Sequence, residues 1–450
     1  MRATALRRLI ARFLPEGAAI LAVLTFGSYV MGLLRDRTFA RTFGLSGDLD
    51  IYNAAFVLPE VLLDVLVESG LAAAFIPIFL SLRAGGDPRS ADRFARTILT
   101  AAVTVMGLTA VVLFVFAEAT TQLIAPDFTA AQHDRYVDLF RLMLATPILF
   151  AASLTLGNVL LAEQRFAWYG IAPLLYNAGI IGGTAALGPS MGIYGPAVGA
   201  VIGALLHLGS RLAGLRRSSF RIGYASGFRT PPVRQFVRLM LPRMVSHPIE
   251  SATFLFFTRV ASGLVVGSVS AVSFARNFGS VPVIVIGAAY ALAVFPALST
   301  AHAEGDRPRF LRLLRTNLVS VVALTTFAAA LLAGGGELLI RVLLGGGAMT
   351  DTDVQRTALV LAAFAIAIPF ESATHLLSRA IFATRHTLLQ VLASLAGLAI
   401  NVVATVALLP AIEILAIPIG FAVGQAVKVV LLVVALQIRL KSFGSDASRA

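Results

Sequence analysis

Long apolar runs recur along the whole chain, and they constrain its fold more than any other feature. A helix needs about 20 apolar residues to cross a bilayer. The chain is 58% hydrophobic and 13% charged, whereas soluble domains are about 25% charged. A soluble core cannot hide this much apolar side chain, which excludes soluble enzymes, disordered tails, fibrous repeats and disulfide scaffolds. Twelve runs are predicted to be spanning helices: 17–42, 51–80, 98–116, 137–161, 170–188, 195–214, 240–263, 270–298, 317–334, 357–380, 388–409 and 414–437.

Positive charge is distributed unevenly between the predicted loops. The 36 Lys and Arg exceed the 23 Asp and Glu, for a net charge of +13. If the N-terminus is cytoplasmic, most cations fall in cytoplasmic segments, and the outer loops hold only Arg135, Arg341 and Arg356. Cytoplasmic loops of membrane proteins carry such an excess. We therefore predict twelve spans with both termini cytoplasmic, no cleaved signal peptide, and basic loops that meet anionic lipid rather than nucleic acid.

Several chemistries lack the residues they need. The chain has no cysteine, which excludes disulfides, thiolate metal sites and cysteine nucleophiles. It has no G-x-x-x-x-G-K-[ST] motif, so we do not expect it to hydrolyse ATP. Asp48-x-Asp50 and Asp351-x-Asp353 resemble metal-binding pairs, but they fall in outer loops, where we interpret them as turn or cap residues. We predict no enzyme activity, catalytic residue, metal or cofactor.

The two halves of the chain share a motif at one constant offset. Six residues at the end of the second span and in the segment that follows it recur at the eighth span, which is the second span of the second half. Pro77, Gly86, Asp87, Arg93, Arg96 and Thr97 return as Pro296, Gly305, Asp306, Arg312, Arg315 and Thr316. This predicts a parallel repeat of two six-helix lobes, 1–210 and 240–450. The basic segment 211–239 is predicted to be a cytoplasmic linker, a loop with one amphipathic turn. Two such lobes suit alternating access to a V-shaped cavity.

Ionisable residues interrupt several apolar runs, where they are costly unless they face a partner or water. Span 1 carries Arg35, Asp36, Arg37 and Arg41, and span 2 carries Glu60, Asp64 and Glu68 at a spacing of four. That spacing predicts one acidic helix face. It favours a wall that binds substrate or ions, and an ion-pair network between helices is the alternative.

Polar faces recur in the second half. Span 8 carries Arg276 and Asn277, span 10 carries Glu371 and His375, and span 7 carries His247 and Glu250. We interpret these faces either as cavity walls or as interhelical hydrogen-bonding surfaces.

The stretch from Ser28 to Pro77 contains a series of motifs that resembles a known protein family. It reads S-Y-V-M-G-L-L-R-D-R-T-F-A-R-T-F-G, then D-x-x-x-x-x-F-x-L-P, then E-S-G-L-A-A-A-F-I-P. This resembles the opening of the MurJ/MviN family of lipid II flippases, within the multidrug/oligosaccharidyl-lipid/polysaccharide exporter superfamily. The resemblance implies movement of an undecaprenyl-pyrophosphate-linked glycan from the inner to the outer leaflet of the bacterial cytoplasmic (inner) membrane. Arg35, Asp36, Arg41, Asp50 and Glu68 match motif residues of the family.

The sequence departs from the family at several arginines. Tyr29, Leu63 and Asn277 stand where the family has arginine, and Glu60 stands where it has asparagine. A wall that is cationic in the family is therefore partly acidic here. The predicted substrate-binding residues are Arg35, Asp36, Arg41, Asp50, Glu60, Asp64, Glu68, Arg276 and Asn277.

The predicted function is an alternating-access flippase for a lipid-linked glycan, with lipid II as the first candidate. The membrane potential or a coupling ion would drive it. Three alternatives remain: a cation-coupled exporter of amphiphiles, a membrane-embedded glycosyl or phosphoglycosyl transferase, and a scaffold without transport activity.

Overall fold

A computed structural model describes residues 16–68, 71–246, 248–384 and 387–441. Apart from an isolated bridge between Gly346 and Met349, the regular structure of these residues is helical. The first half holds nine α-helices: α1 Glu16–Phe43, α2 Gly47–Leu63, α3 Leu71–Ala84, α4 Pro88–Val115, α5 Ala117–Ile124, α6 Ala130–Met143, α7 Ala145–Ala162, α8 Phe166–Met191 and α9 Tyr194–Leu215. Nine more follow: α10 Pro231–Ser246, α11 Pro248–Ser262, α12 Ser268–Pro282, α13 Ala289–Ala303, α14 Arg307–Leu343, α15 Asp351–Ala365, α16 Ile368–Ala383, α17 Thr387–Ile412 and α18 Ala416–Lys441.

The described residues of all twelve predicted spans fall mainly on helical segments. Within the described ranges, 8 segments are long and apolar enough to cross a membrane, or 9 if the bent pair α15 and α16 is one span. One of these segments, Leu388–Leu440, is 53 residues long and contains both α17 and α18. The all-helical polytopic fold is therefore confirmed, and the count of twelve spans stays a prediction.

Several predicted spans are not regular α-helices throughout. The runs 51–80 and 270–298 each contain a π-helical turn, at Asp64–Glu68 and Val283–Ala288. The run 357–380 bends by 41° between α15 and α16. Pro369 lies just after that bend, and proline has no backbone N–H to continue a helix.

The repeated motif adopts the same local structure in both halves. Gly86 and Gly305 have φ of 77° and 69°, in the left-handed region that glycine tolerates. Asp87 then caps α4 by accepting from the Ser90 amide at 3.0 Å, and Asp306 caps α14 in the same way. The hydrogen bonds from Ser90 lower the pKa of Asp87. The motif is thus a turn that ends one helix and starts the next.

The predicted linker is more helical than expected. Helix α9 continues to Leu215 and α10 begins at Pro231, so only 216–230 of the predicted loop 211–239 is irregular. The expectation of a single amphipathic turn was wrong. Its physical reason is the Pro231-Pro232 pair, because proline is favoured in the first turn of a helix and here starts α10.

The chain folds into two compact units. Unit 1 comprises Met1–Phe43 and Gly47–Leu255, and unit 2 comprises Gly44–Ser46 and Phe256–Ala450. Each unit has its own buried apolar core, which includes Phe75 and Phe94 in unit 1 and Leu298 and Phe310 in unit 2. The predicted lobe boundaries and the cavity between the lobes stay predictions.

Helices α8 and α9 of unit 1 pack along a seam of glycines, which we call the glycine seam: Gly179, Gly183, Gly199 and Gly203. A Cβ atom added to Gly183 would lie 2.5 Å from the Gly199 Cα, and one added to Gly203 would lie 2.4 Å from the Tyr176 carbonyl oxygen. No side chain fits at that distance, so the two backbones are in direct contact.

Candidate functional site

Arg35 is oriented by its neighbour on α1. Its Nε and Nη2 atoms donate to the Asp36 Oδ1 atom at 3.0 and 2.8 Å. Its other N–H groups donate to no atom of the described residues. A guanidinium has five N–H groups in a fixed plane. Asp36 therefore fixes the plane of the Arg35 guanidinium and leaves donors for a further acceptor.

Two tyrosines and a carboxylate surround this arginine. Tyr52 on α2 interacts electrostatically with Arg35, Asp36 and Glu60, and Tyr176 on α8 interacts with Tyr52, Arg35 and Glu60. The Tyr176 hydroxyl is buried and has no hydrogen-bond partner among the described residues. A buried hydroxyl without a partner is unusual in a folded protein. These five residues form a cluster that we call the Arg35 cluster.

The predicted acidic face of span 2 is only partly realised. Glu60 is exposed on α2, and Asp64 begins the π-helical turn, where its Oδ2 atom accepts from the Ser251 hydroxyl at 2.7 Å. Glu68 ends the same turn, and its side chain lies outside the described residues. A π-helical turn has more residues than an α-helical turn, so the helix is not regularly α-helical from Asp64 to Glu68. The acidic face through Glu68 stays a prediction.

The remaining predicted residues of unit 1 lie near the other end of α2. Arg41 is exposed near the end of α1, and Asp50 is buried in the first turn of α2; both have interaction partners within the structure. Asp48, also in that turn, pairs with Arg135 at 2.6 Å. Carboxylates are favoured at helix N-termini because the backbone N–H groups there point outward. Asp48 and Asp50 therefore lie in a first helical turn, and their interpretation as turn or cap residues stays a prediction.

Unit 2 holds the second predicted cluster. The Arg276 guanidinium donates to both oxygens of Glu371, at 2.8 and 2.5 Å, with the side chains 14% and 12% exposed. The guanidinium also lies 5.0 Å from the centre of the Phe421 ring. His375 and Lys428 interact electrostatically with Glu371. Arg276 is therefore engaged in a buried ion pair.

Asn277, the next residue, is exposed on α12. Two residues of the predicted span 7 cannot be placed in the same detail: His247 lies outside the described residues, as does the side chain of Glu250.

Three residues of these clusters were missed by the sequence analysis: Tyr52, Tyr176 and Ser251. Each is an uncharged residue in an apolar run, where a hydroxyl does not stand out. The signal that could have found the tyrosines is the cost of burying a phenol hydroxyl without a partner.

Comparison with known proteins gives one family. The family described as "Lipid II flippase MurJ" matches residues 39–449. A probable lipid II flippase MurJ from Thermotoga maritima is 28% identical over 389 residues, covering 84% of this chain and 76% of that protein. One from Rickettsia prowazekii is 23% identical, covering 91% and 80%.

Solved structures share the fold. A lipid II flippase MurJ in an inward closed conformation superposes with a TM-score of 0.80 at 20% identity, covering 95% of this chain and 90% of that one. An inward-facing multidrug resistance MATE family transporter of the MOP superfamily superposes with a TM-score of 0.76 at 13% identity, covering 93% and 96%. At these identities the superpositions show the exporter fold. The family match, which spans nearly the whole chain, shows more: this chain belongs to the lipid II flippase MurJ family.

Proposed function

We propose that this protein moves a polyprenyl-pyrophosphate-linked glycan, lipid II in the first instance, from the inner to the outer leaflet of the bacterial cytoplasmic membrane. It does so as a transporter with alternating access, not as an enzyme. Both termini lie on the cytoplasmic side. The observation that carries the proposal is the Arg35 cluster, in which an oriented guanidinium in a membrane span keeps unused donors.

The chemistry of the Arg35 cluster suits a phosphorylated head group. Arginine N–H groups form short, strong hydrogen bonds with phosphate oxygens. Asp36 keeps Arg35 in one plane, so less conformational freedom is lost when a phosphate binds. The buried Tyr176 hydroxyl supplies a further donor beside the same guanidinium. Glu60 repels a phosphate and attracts the hydroxyl or amide donors of a glycan.

Asp36 also limits how tightly the head group is held. A phosphate must compete with the carboxylate for the same guanidinium, which weakens binding in the resting state. Weak binding favours release on the far side, as transport requires. The inside-negative membrane potential adds about 2.3 kcal/mol per 100 mV for each charge moved across, so it favours outward movement of an anionic head group.

The test is substitution of Arg35 in full-length protein. We expect Arg35→Ala to abolish rescue of cells depleted of their own flippase, and lipid II to accumulate in the inner leaflet. Arg35→Lys keeps the charge but loses the planar fork, so partial rescue is expected. Arg135→Ala, which breaks an exposed ion pair between helices α6 and α2, is the matched control and should rescue fully. Normal transport by Arg35→Ala would contradict the role of the Arg35 cluster.

A second candidate is a cation-coupled exporter of amphiphiles. It is favoured by the exposed carboxylate of Glu60 and by Asp64, which lie one helical turn apart in a predicted span. A carboxylate in a span can bind a proton, sodium or a cationic drug. Loss of amphiphile export in Asp64→Asn, with lipid II movement intact, would favour this candidate. Loss of lipid II movement alone would favour the flippase.

A further inference from the structure

The segment between α9 and the middle of α10 carries an unusual excess of positive charge. We call residues 216–238 the basic linker. No aspartate or glutamate occurs between Glu163 and Glu250. The structure exposes six arginine side chains here: Arg216, Arg217, Arg221, Arg229, Arg234 and Arg238. None of these guanidinium groups forms an ion pair with a residue that the structure describes.

The backbone of the basic linker is held in place by unit 1. The Arg96 side chain donates to the carbonyl oxygen of Arg221, and the Thr97 hydroxyl accepts from the Gly227 amide at 3.2 Å. Phe236 is buried, with its ring centre 6.0 Å from that of Phe94 on α4. The basic linker is therefore a fixed surface and not a free tether.

The carboxylate of unit 1 that contacts the basic linker through Ser218 is already engaged. Glu163 accepts from the Ser218 hydroxyl at 2.7 Å and pairs with Arg83 at 3.0 Å and Arg165 at 3.2 Å. Arg165 in turn donates to the carbonyl oxygen of Arg217. Unit 1 thus uses its own charged side chains to hold the linker's backbone, while the linker's guanidinium groups point into solvent.

Large apolar side chains are exposed among these arginines. Tyr224 is 77% exposed, and Ile222, Phe228, Val237 and Leu239 are each more than two-fifths exposed. The arrangement of arginines between aromatic and aliphatic side chains is typical of surfaces that lie at the boundary of headgroups and acyl chains.

The position of the linker fits that boundary. It starts where α9, a candidate span, ends at Leu215, and it contacts the first turns of α4, another candidate span. The end of a span lies at the level of the lipid headgroups. We propose that the basic linker is a binding surface for the anionic headgroups of bilayer phospholipids, with the guanidinium groups on the phosphates and the apolar side chains among the upper acyl carbons.

The absence of cysteine from the chain allows a direct test. Full-length Tyr224→Cys, labelled with an environment-sensitive fluorophore, is reconstituted into vesicles of phosphatidylcholine with or without phosphatidylglycerol. Lipids with a shallow spin label quench the fluorophore only if it enters the interface. We expect quenching to be stronger with phosphatidylglycerol and to weaken with added salt, because salt shortens the Debye length.

Two triple variants test whether the effect depends on the arginines of the basic linker or only on the net charge of the protein. In Arg221→Gln/Arg229→Gln/Arg234→Gln, binding of the segment to the anionic surface should fall by about a hundredfold, at about fivefold per arginine. The matched control removes three exposed arginines from the start of helix α14: Arg307→Gln/Arg312→Gln/Arg315→Gln. The label in this control should be quenched as strongly as in Tyr224→Cys alone. Thermal unfolding checks that both triple variants fold.

Three results would overturn the proposal: equal quenching with and without phosphatidylglycerol, equal losses in the two triple variants, or a label that stays in water in both lipid mixtures. The last result would indicate a soluble acidic partner instead of lipid. None of these readouts depends on lipid II transport.

Discussion

At the scale of single residues, the pair of Arg276 and Glu371 illustrates what a sequence does and does not predict. Arg276 was predicted to bind substrate because an arginine in an apolar run needs an acceptor. The structure supplies that acceptor within unit 2, from a helix 95 residues further along the chain. A local pattern cannot identify so distant a partner. Arg35 differs, because its partner Asp36 is its neighbour in the chain, and its role in substrate binding stays a prediction.

Breaking the buried pair should be costly. We expect Arg276→Ala to lower the stability of the folded protein by about 3 kcal/mol, because it leaves the Glu371 carboxylate buried without two hydrogen bonds. Arg309→Ala, which breaks an exposed pair with Glu304, should cost about 1 kcal/mol or less. Thermal unfolding in detergent measures both. Equal losses of stability in the two variants would contradict the prediction that breaking the buried pair costs more.

At the scale of elements, the two π-helical turns occupy equivalent positions of the repeat. The turn at Asp64–Glu68 and the turn at Val283–Ala288 both lie shortly before the shared proline motif. Both turns contain three consecutive aliphatic residues, at 65–67 and at 284–286. These residues continue the apolar run, so hydropathy alone does not reveal the π-helical turn. π-helical turns concentrate at functional sites and kinks. Their shared position indicates that each unit departs from regular α-helix at the same place in the repeat.

The turn in unit 2 depends on a close contact that a methyl group should disrupt. A Cβ atom on Gly287 would lie 2.8 Å from the Ser372 Cβ and 2.9 Å from its Cα. We expect Gly287→Ala to lower stability by about 1–3 kcal/mol and to reduce transport, because α16 must shift. Gly334→Ala, at a helical glycine with open space around it, should be neutral or slightly stabilising. Unfolding midpoints and transport rates check both, and a neutral Gly287→Ala would contradict the contact.

At the scale of the whole molecule, the apolar runs and the repeat predicted most of what the structure contains. Hydropathy identified where the helices lie because each run must satisfy its own backbone in lipid. The repeated Gly-Asp turns were found because their residues are required by a left-handed backbone and a helix cap. The π-helical turns were missed because hydropathy does not distinguish a π-helical turn from an α-helical one, as at Val283–Ala288. The sequence analysis identified the charged residues of the two clusters and missed the uncharged ones, such as Tyr52 and Tyr176.

The predicted orientation can be tested with single cysteines. If the two halves are a parallel repeat with the N-terminus inside, Arg89→Cys and Arg307→Cys should react with an impermeant thiol reagent only from the cytoplasmic side. Asp127→Cys and Thr352→Cys should react only from outside. All four positions are at least partly exposed. Labelling of Arg89→Cys and Arg307→Cys from opposite sides would contradict a parallel repeat.

The glycine seam has a consequence for how unit 1 can move. Two backbones in direct contact have no side-chain layer between them that could slide or repack. Helices α8 and α9 must therefore rotate and translate as one rigid body, carrying Tyr176 with them. A spectroscopic probe attached to either helix would report the displacement of both, and a library of random substitutions selected for function would retain glycine at all four positions.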